Sequence, residues 1–369
     1  MLHLRSQFVA AAPIRWRFAG ALVVALCLAT SPAAATVEGA STQDARFGFA
    51  AGGNLHNLAP PELERYLDGV RAARAGWVRI DVNWSVIQYR GRDTYNWDPF
   101  DRIVRGITSR GMRVLAGILY TPPWARPVGT PATTPPTNLA DYAAFAHTVA
   151  QRYGAMGVHA FELWNEPNIP IFWSPRPDPA RYAQLLKLAY AAVKSADPSA
   201  TVLSGGLSPY GVYGQIDKGG MNPLTFLERM YAAGAGHSFD ALAWHPFNFP
   251  YGFGFARWSA WSQMTKTTPS ARSILRANGD GTKKIWATEF GFPTGSTSRD
   301  VSEAKQAQLL KKALNGLIAR TWAGPAFVYS YRDSGTNNRN VEQNFGVVRY
   351  DYSPKPAYRV LQRVAAATP

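Results

Sequence analysis

Short, continuously apolar runs alternate with longer amphipathic stretches along most of this chain. The length and composition of the apolar runs are typical of strands that are buried on both faces. These runs lie at residues 46–50, 76–82, 112–119, 158–164, 201–205, 239–244, 284–288 and 326–330. The amphipathic stretches lie at residues 61–75, 99–110, 139–153, 179–195, 223–233, 301–320 and 356–366, with a partly helical stretch at 259–277. The pattern therefore predicts eight units, each a strand followed by a helix.

Residues at the expected helix ends support this order. Asn138 and Asp178 are good N-caps for the helices that follow them, and Gly111 is a natural C-cap. Eight such units in a chain of 369 residues predict the α/β class and a single (β/α)8 TIM barrel. A doubly wound open sheet is the alternative. It usually carries a GxGxxG motif after its first strand, where this chain has only Gly52-Gly53.

The first 35 residues have the features of a targeting segment. Three arginines precede an uncharged apolar run at residues 18–30, and small residues at 33–35 offer a cleavage site. We therefore expect a signal peptide at residues 1–35 and a barrel domain at residues 36–369. An uncleaved membrane anchor is the alternative, although the run is short for a membrane span. The prediction is a protein that is secreted, periplasmic or associated with the cell wall.

Cysteine usage and charge narrow the functional classes only slightly. The single cysteine, Cys27, lies in the targeting segment, so the mature chain would contain no disulfide. The formal net charge of +15 suits electrostatic contact with anionic cell-wall polymers, but a generally basic exterior would look the same. The basic residues are dispersed, without zinc-finger spacing or a basic helix, so we expect no nucleic-acid partner.

Two of the predicted strands run into a glutamate. The fourth leads into Asn165-Glu166-Pro167 and the seventh into Glu289-Phe290-Gly291. In a barrel of this type the C-terminal ends of the strands surround one site, and strands four and seven face each other across it. Retaining glycosidases use two carboxyl groups about 5 Å apart, one as acid/base and one as nucleophile. Two unrelated loop carboxylates are the alternative, which the matching positions disfavour.

These stretches resemble known glycosidase motifs. Residues 164–168, Trp-Asn-Glu-Pro-Asn, are similar to the acid/base motif of glycoside hydrolase clan A, and residues 288–291 resemble its nucleophile strand. Residues 78–81 with Trp84 are similar to the second strand of the clan. Further similarities favour family 39-like or family 5-like members, at residues 120–125, 345–348 and 353–358. The resemblance covers nearly the whole mature chain and implies a retaining glycosidase on a (β/α)8 barrel.

The resemblance implies roles for several charged residues. Glu166 would protonate the leaving oxygen and later activate water, so it must hold a proton. Glu289 would attack the anomeric carbon, and Arg79 would lie near it and favour its charged form. Arg79 could equally belong to a structural ion-pair network. Glu162 and Asp81 are expected to be structural.

Further residues are expected to bind substrate. Asn165 would hydrogen-bond the sugar 2-hydroxyl, and His245 would hydrogen-bond around the same centre unless it is a satisfied core histidine. Aromatic faces offer apolar surface to the C–H face of a sugar, although barrels also use tryptophan as core filler. Trp124 and Trp173 follow strands in long loops and are therefore expected to face ligand. Tyr120 is expected to line a subsite, and Trp286 is expected in the core.

Two aromatic positions depart from the pattern of family 39-like proteins. Phe247 stands where many members have a tyrosine that helps to position the nucleophile, and Tyr251 could replace that tyrosine from the loop. The eighth strand lacks the usual subsite tryptophan, so Tyr331 is expected to take its role. The chain ends soon after the eighth helix, and we expect no accompanying β-sandwich domain.

The combined prediction is a secreted, monomeric, retaining glycoside hydrolase that needs no metal or other cofactor. Its expected substrate is an extracellular or cell-wall polysaccharide or oligosaccharide, a β-glycan such as those cleaved by xylosidases and cellulases. A glycan-binding cell-wall protein on the same barrel, without catalytic activity, is one alternative. A metal-dependent hydrolase is another, but the predicted strands carry no paired-histidine motif.

Overall fold

Eight parallel strands close into one barrel. The computed structural model describes residues 44–211, 219–253, 256 and 259–367. The strands pair in chain order, each with the next and the last with the first. They are β1 (Asp44–Ala50), β2 (Ala75–Asn83), β3 (Arg113–Leu119), β4 (Ala160–Asn165), β5 (Thr201–Gly206), β6 (Ala241–Trp244), β7 (Lys284–Phe290) and β8 (Ala323–Tyr329). The predicted TIM barrel is confirmed, and the predicted signal peptide lies outside the described residues.

Helices follow the strands as the alternating pattern predicts. They are α1 (Pro60–Ala72), α2 (Trp84–Ile87), α3 (Asp98–Thr108), α4 (Leu139–Gly154), α5 (Pro179–Ala196), α6 (Pro223–Ala232), α7 (Ala260–Thr265), α8 (Ala271–Ala277), α9 (Glu303–Ile318) and α10 (Pro356–Ala366). The partly helical stretch at 259–277 resolves into α7 and α8. The short α2 was not predicted. It begins where the side chain of Asn83 accepts a hydrogen bond from the Val86 amide.

The predicted caps set the start of the two helices that flank the fourth strand. The Asn138 side chain accepts from the Ala140 amide at the start of α4, and the Asp178 side chain accepts from the Arg181 amide at the start of α5. None of the helices in the described ranges is long and apolar enough to cross a membrane.

The barrel interior changes from aromatic to charged along its axis. The rings of Trp77, Trp286 and Phe327 pack together inside the barrel, with centroids of the two indoles 5.4 Å apart. Trp286 is therefore a core residue, as expected. Alternate residues of a strand point to the same face, so Trp77 on β2 is followed inside the barrel by Arg79 and Asp81. The three aromatic rings thus fill the barrel interior below a polar layer, which lies nearer the carboxyl ends of the strands.

One buried tyrosine joins the helical layer to the barrel just below that polar layer. Tyr182 on α5 is fully buried, and its hydroxyl donates to the Leu163 carbonyl at 3.0 Å. The same oxygen accepts from the Gly205 amide at 2.6 Å. The side chain therefore fixes β4 and β5 relative to each other and to α5.

Replacing this hydroxyl should cost stability because it leaves a buried amide and a buried carbonyl without their partner. For Tyr182→Phe we expect a loss of about 1–3 kcal/mol in the free energy of unfolding, measured by urea denaturation. Tyr190→Phe on the same helix is the control, since its hydroxyl meets Asp240 in a half-buried position. The control should lose less than about 1 kcal/mol. Equal losses in both variants would contradict the role assigned to Tyr182.

Candidate active site

A single buried guanidinium organises the carboxyl end of the barrel. Arg79 on β2 is 1% exposed and uses each of its nitrogens. Its Nε donates to Glu162 at 2.5 Å, its Nη1 to Glu289 at 2.5 Å and its Nη2 to Asn165 at 2.9 Å. Burial alone lowers the pKa of Arg79, but the carboxylates of Glu162 and Glu289 outweigh burial and raise it. Arg79 is therefore a fixed cation that orients residues from β4 and β7.

A buried histidine lies between the two predicted catalytic carboxylates. His245 follows β6 and is fully buried, with Nδ1 2.9 Å from Glu166 Oε1 and 3.7 Å from Glu289 Oε2. Burial lowers the pKa of His245, whereas Glu289 and Glu166 raise it and prevail. The imidazole therefore favours its charged form, in which Nδ1 donates to Glu166. Gly206 makes room for the ring, since a Cβ at that position would overlap it.

The shared histidine limits the separation of the two carboxylates. Both distances start from the same nitrogen, so the two oxygens can be no farther apart than about 6.6 Å, the sum of the two distances. Glu166 is 8% exposed and the Glu289 side chain is 14% exposed, so both are reached by solvent from the mouth of the barrel. The two strand ends thus bring these carboxylates into one small site.

The end of β4 departs from regular strand geometry, which places two consecutive side chains on one side. Adjacent residues of a strand normally point to opposite faces. Here Asn165 reaches Arg79 and Glu166 reaches His245, both inside the barrel mouth. The break in alternation coincides with positive φ values of 77° at Trp164 and 41° at Glu166. Such conformations cost energy in residues other than glycine and occur most often at functional sites.

The electrostatics at Glu289 reflect opposing effects. Burial raises its pKa most strongly, and Glu166 adds to this, while His245 and Arg79 lower it. Together these effects raise the pKa of Glu289 to about 7. The group therefore ionises near neutral pH, with its charged form facing two cationic side chains. This arrangement suits a carboxylate that must be ionised to react but is largely desolvated.

Two further carboxylates in this layer have different surroundings. Glu162 is fully buried and accepts from Arg79, from the Gly206 amide at 2.9 Å and from the Thr288 hydroxyl at 3.1 Å. It is satisfied by protein groups, in agreement with the expected structural role. Asp81 Oδ1 lies 3.5 Å from Arg79 Nη1 but has no hydrogen-bond partner among the described residues. Asp81 is thus less completely satisfied than a purely structural carboxylate usually is.

Two tyrosines lie close to these carboxylates. Tyr120, predicted to line a subsite, directly follows β3 and has a φ of 69°. Burial raises the pKa of its hydroxyl, and Asp81 and Glu289 raise it further. Tyr329, the last residue of β8, was not predicted, and burial followed by Glu289 raises the pKa of its hydroxyl. The sequence signal that could have identified Tyr329 is its place at the end of the eighth strand.

Tyr331 lies elsewhere, contrary to the prediction that it binds substrate. It is 4% exposed, and its ring packs against Phe49, Tyr66 and Tyr358. The prediction failed because β8 ends at Tyr329, and two residues later the Tyr331 ring packs against Tyr66 of α1. Tyr329 occupies the strand end over the site instead.

The predicted tryptophan platforms are also largely covered. Trp173 is 1% exposed and packs between Trp164 and Tyr182, so it presents no open ring face in the mouth. The loop after β4 folds back on the barrel and buries it. Trp124 is half-buried, donates to the Gln88 carbonyl and has the Arg92 guanidinium 5.0 Å above its ring. One face of Trp124 is therefore occupied by protein.

The loop after β6 carries the two remaining predicted positions. The Phe247 ring lies 6.2 Å from the His245 ring and 5.9 Å from the Tyr329 ring. Tyr251 is 39% exposed, and its substitution for the tyrosine missing at Phe247 stays a prediction. No group of three or more His, Cys, Asp and Glu side chains in the described part of the chain could hold a metal ion.

Several solved structures have the same fold. A family 39 glycoside hydrolase from Bacteroides cellulosilyticus WH2 matches with a TM-score of 0.68 and 24% identity, over 88% of this chain and 64% of that one. A β-xylosidase from Caulobacter crescentus CB15 matches with a TM-score of 0.61 and 20% identity, over 88% and 69%. The GH5_18 protein from Streptomyces cattleya matches with a TM-score of 0.61 and 16% identity, over 86% and 80%. These likenesses show a shared barrel, and this chain spans less than two thirds of the first structure.

Sequence comparison identifies the family. No curated protein matches the chain. The family model described as cellulase (glycosyl hydrolase family 5) matches residues 39–323, well over half of the sequence. The predicted membership of clan A, in a family 39-like or family 5-like group, is thereby confirmed. This chain belongs to the cellulase family, glycosyl hydrolase family 5.

Proposed function

We propose that this chain is a secreted glycosidase that cleaves an extracellular or cell-wall β-glycan with retention of the anomeric configuration. The observation that carries the proposal is the position of His245 Nδ1, 2.9 Å from Glu166 and 3.7 Å from Glu289. Glu166 Oε1 and Glu289 Oε2 can therefore be at most about 6.6 Å apart. This limit favours the ~5 Å separation of retaining enzymes over most of the range found in inverting ones.

The reaction has two steps, each using both carboxyl groups. In the first, Glu289 attacks the anomeric carbon while Glu166 gives its proton to the glycosidic oxygen, so that the bond to the leaving group breaks and a glycosyl–enzyme ester forms. In the second, Glu166 takes a proton from water as that water attacks the same carbon and releases Glu289. Two inversions at one carbon give net retention.

The neighbouring side chains support these roles by charge and position. Arg79 and His245 both contact Glu289, so the nucleophile is oriented and the two cations partly offset the effect of burial on its charged form. The side-chain oxygen Oδ1 of Asn165 accepts from Arg79. The side-chain NH2 group of Asn165 would then donate to a substrate 2-hydroxyl. A hydrogen bond there strengthens in the transition state.

The proposed substrate class comes from the family and its structural relatives, and the proposed location comes from the first 35 residues. The family is named for cellulase. Similar structures include one named as a β-xylosidase and one named as xylanase 10B, from Thermotoga maritima. A β-glycan of the cellulose or xylan type is therefore the substrate we propose. The features of residues 1–35 support export. A purely glycan-binding role is disfavoured because the carboxylate pair and its cations are intact.

Glu289→Ala should abolish turnover because it removes the carboxylate that forms the glycosyl ester. Hydrolysis of an aryl β-glycoside should fall by about 10⁴-fold or more. Azide should partly restore the release of aryl alcohol and give a glycosyl azide of inverted configuration. Glu228→Ala, an exposed position on α6, is the control and should retain full activity. Full activity of Glu289→Ala would contradict the assignment of Glu289 as the nucleophile.

Glu166→Gln should slow substrates according to their need for protonation. Loss of the acid should reduce turnover of glycosides with poor leaving groups by about 10²–10⁴-fold. Activated aryl glycosides, whose leaving groups need no proton, should lose much less in the first step. Rates measured over a series of leaving-group pKa values test this. Equal losses across the series would contradict an acid role for Glu166.

The pH dependence should reveal the ionisation of Glu289. Its pKa is raised by burial to about 7, and only the ionised form can attack, so kcat/KM should fall as pH decreases through about 7. The profile is measured with an activated substrate, so that loss of the proton on Glu166 limits the rate less. A rate that stays constant from pH 8 down to pH 5 would be inconsistent with the described environment of Glu289.

A further inference from the structure

A concave surface at the same end of the barrel is not used by the proposed reaction. It is formed by the loop from β3 to α4, the loop from β4 to α5, and α6, and it encloses about 530 Å³. Both loops begin at active-site residues, Tyr120 and Glu166, so the concavity opens on the catalytic end of the barrel. We call it the arginine groove after three of its lining residues, Arg176, Arg181 and Arg229.

The guanidinium groups of this groove are not neutralised. Arg181 donates from Nη2 to the carbonyls of Pro136 and Thr137, which hold it in place without cancelling its charge. Arg176 and Arg229 form no ion pair and no side-chain hydrogen bond with any described residue. The one acidic residue of the lining, Asp178, caps α5 through the Arg181 amide. The groove therefore has a net positive charge.

Arginines elsewhere on the surface contrast with these three. Several are paired with acidic residues, as in Arg110 with Glu64, Arg152 with Asp101 and Arg332 with Glu62. Unpaired arginines that converge on one concave surface place strong bidentate donors where a ligand can reach them. The planar guanidinium group matches the geometry of a carboxylate better than that of a neutral hydroxyl.

The walls of the groove are suited to a sugar chain. Five prolines contribute to the lining, of which Pro127 and Pro175 are exposed and Pro177 is half-buried. These three rings are rigid and apolar, so they offer contact to the C–H faces of sugar rings at little entropic cost. The combination of apolar rings and unpaired arginines favours a carbohydrate that carries carboxylates.

We propose that the arginine groove binds the carboxylate groups of an acidic, uronate-bearing polysaccharide whose chain also occupies the active site. This inference rests on the proposed function, because it names the substrate class of the same enzyme. The formal net charge is +15 for the whole sequence and +12 without the three arginines of residues 1–35, and it would add long-range attraction for such a polymer. The groove would then select acidic regions of the polymer, while Glu166 and Glu289 cleave the bond.

The test compares one oligosaccharide with and without its charge. The protein carries Glu289→Gln to prevent turnover, and the probes are a xylo-oligosaccharide that carries glucuronate side groups and its carboxyl-reduced, neutral counterpart. Calorimetric titration should give at least about tenfold tighter binding of the charged probe, because bidentate pairs with arginine add affinity. This preference should shrink as salt rises and the Debye length falls below about 8 Å.

Variants show whether the groove is responsible. Arg176→Ala combined with Arg229→Ala should weaken binding of the charged probe about tenfold and leave binding of the neutral probe unchanged. Arg71→Ala combined with Arg359→Ala is the matched control, since it removes the same charge from exposed sites on α1 and α10. The control should change affinity less than about twofold.

Several outcomes would overturn the inference. Undetectable binding of the charged probe, equal affinity for the two probes, or an equal loss in the control pair would each do so. Equally tight, groove-dependent binding of dextran sulfate would show a general polyanion surface instead. Failure of the proposed function is distinguishable, because it would leave groove-dependent binding intact while the wild-type protein hydrolyses no glycoside. Hydrolysis by the wild-type protein, combined with binding that does not depend on the groove arginines, would overturn only the inference about the groove.

Discussion

The buried guanidinium of Arg79 is the interaction on which the rest of the site depends. A charge buried to this extent is stable only if opposite charges and hydrogen bonds compensate for its desolvation. Glu162 supplies a fully buried partner, and Glu289 and Asn165 supply two more from the strand ends. Because the guanidinium is planar and rigid, its three partners have little freedom to move independently. The positions of the reactive groups therefore depend on the barrel bringing β2, β4 and β7 together around Arg79.

A second constraint follows from the way β4 ends. Two neighbouring side chains, Asn165 and Glu166, must both face the mouth, and the backbone twists against its ordinary preference to achieve this. Space for their partner His245 depends on the missing side chain of Gly206 on the next strand. The buried hydroxyl of Tyr182 holds these two strands together directly below. The local strain is thus supported by packing from outside the barrel.

Much of the fold and the central pair could be predicted from the sequence, because both depend on local patterns. Apolar runs and caps reveal strands and helices, and Glu166 and Glu289 lie next to such runs. Positions that depend on where a chain turns were less predictable. Tyr331 was expected in the mouth, but β8 ends at Tyr329 and the chain leaves the barrel.

Trp173 and the arginine groove show the same limit in a different way. A long loop after a strand suggested exposure, whereas the loop after β4 folds back and buries the Trp173 ring. The basic residues looked dispersed along the sequence, yet loops and a helix bring Arg176, Arg181 and Arg229 to one surface. Such tertiary proximity leaves no periodic signal in the chain.

The central claim is that Glu166 and Glu289 act together in a retaining double displacement. Proton NMR of the first product formed from a β-linked substrate tests it most directly, because it follows the anomeric signal before mutarotation. The account predicts that the β-anomer appears first and the α-anomer accumulates only later. Initial formation of the α-anomer would contradict it, since that product results from a single inversion without a glycosyl–enzyme ester.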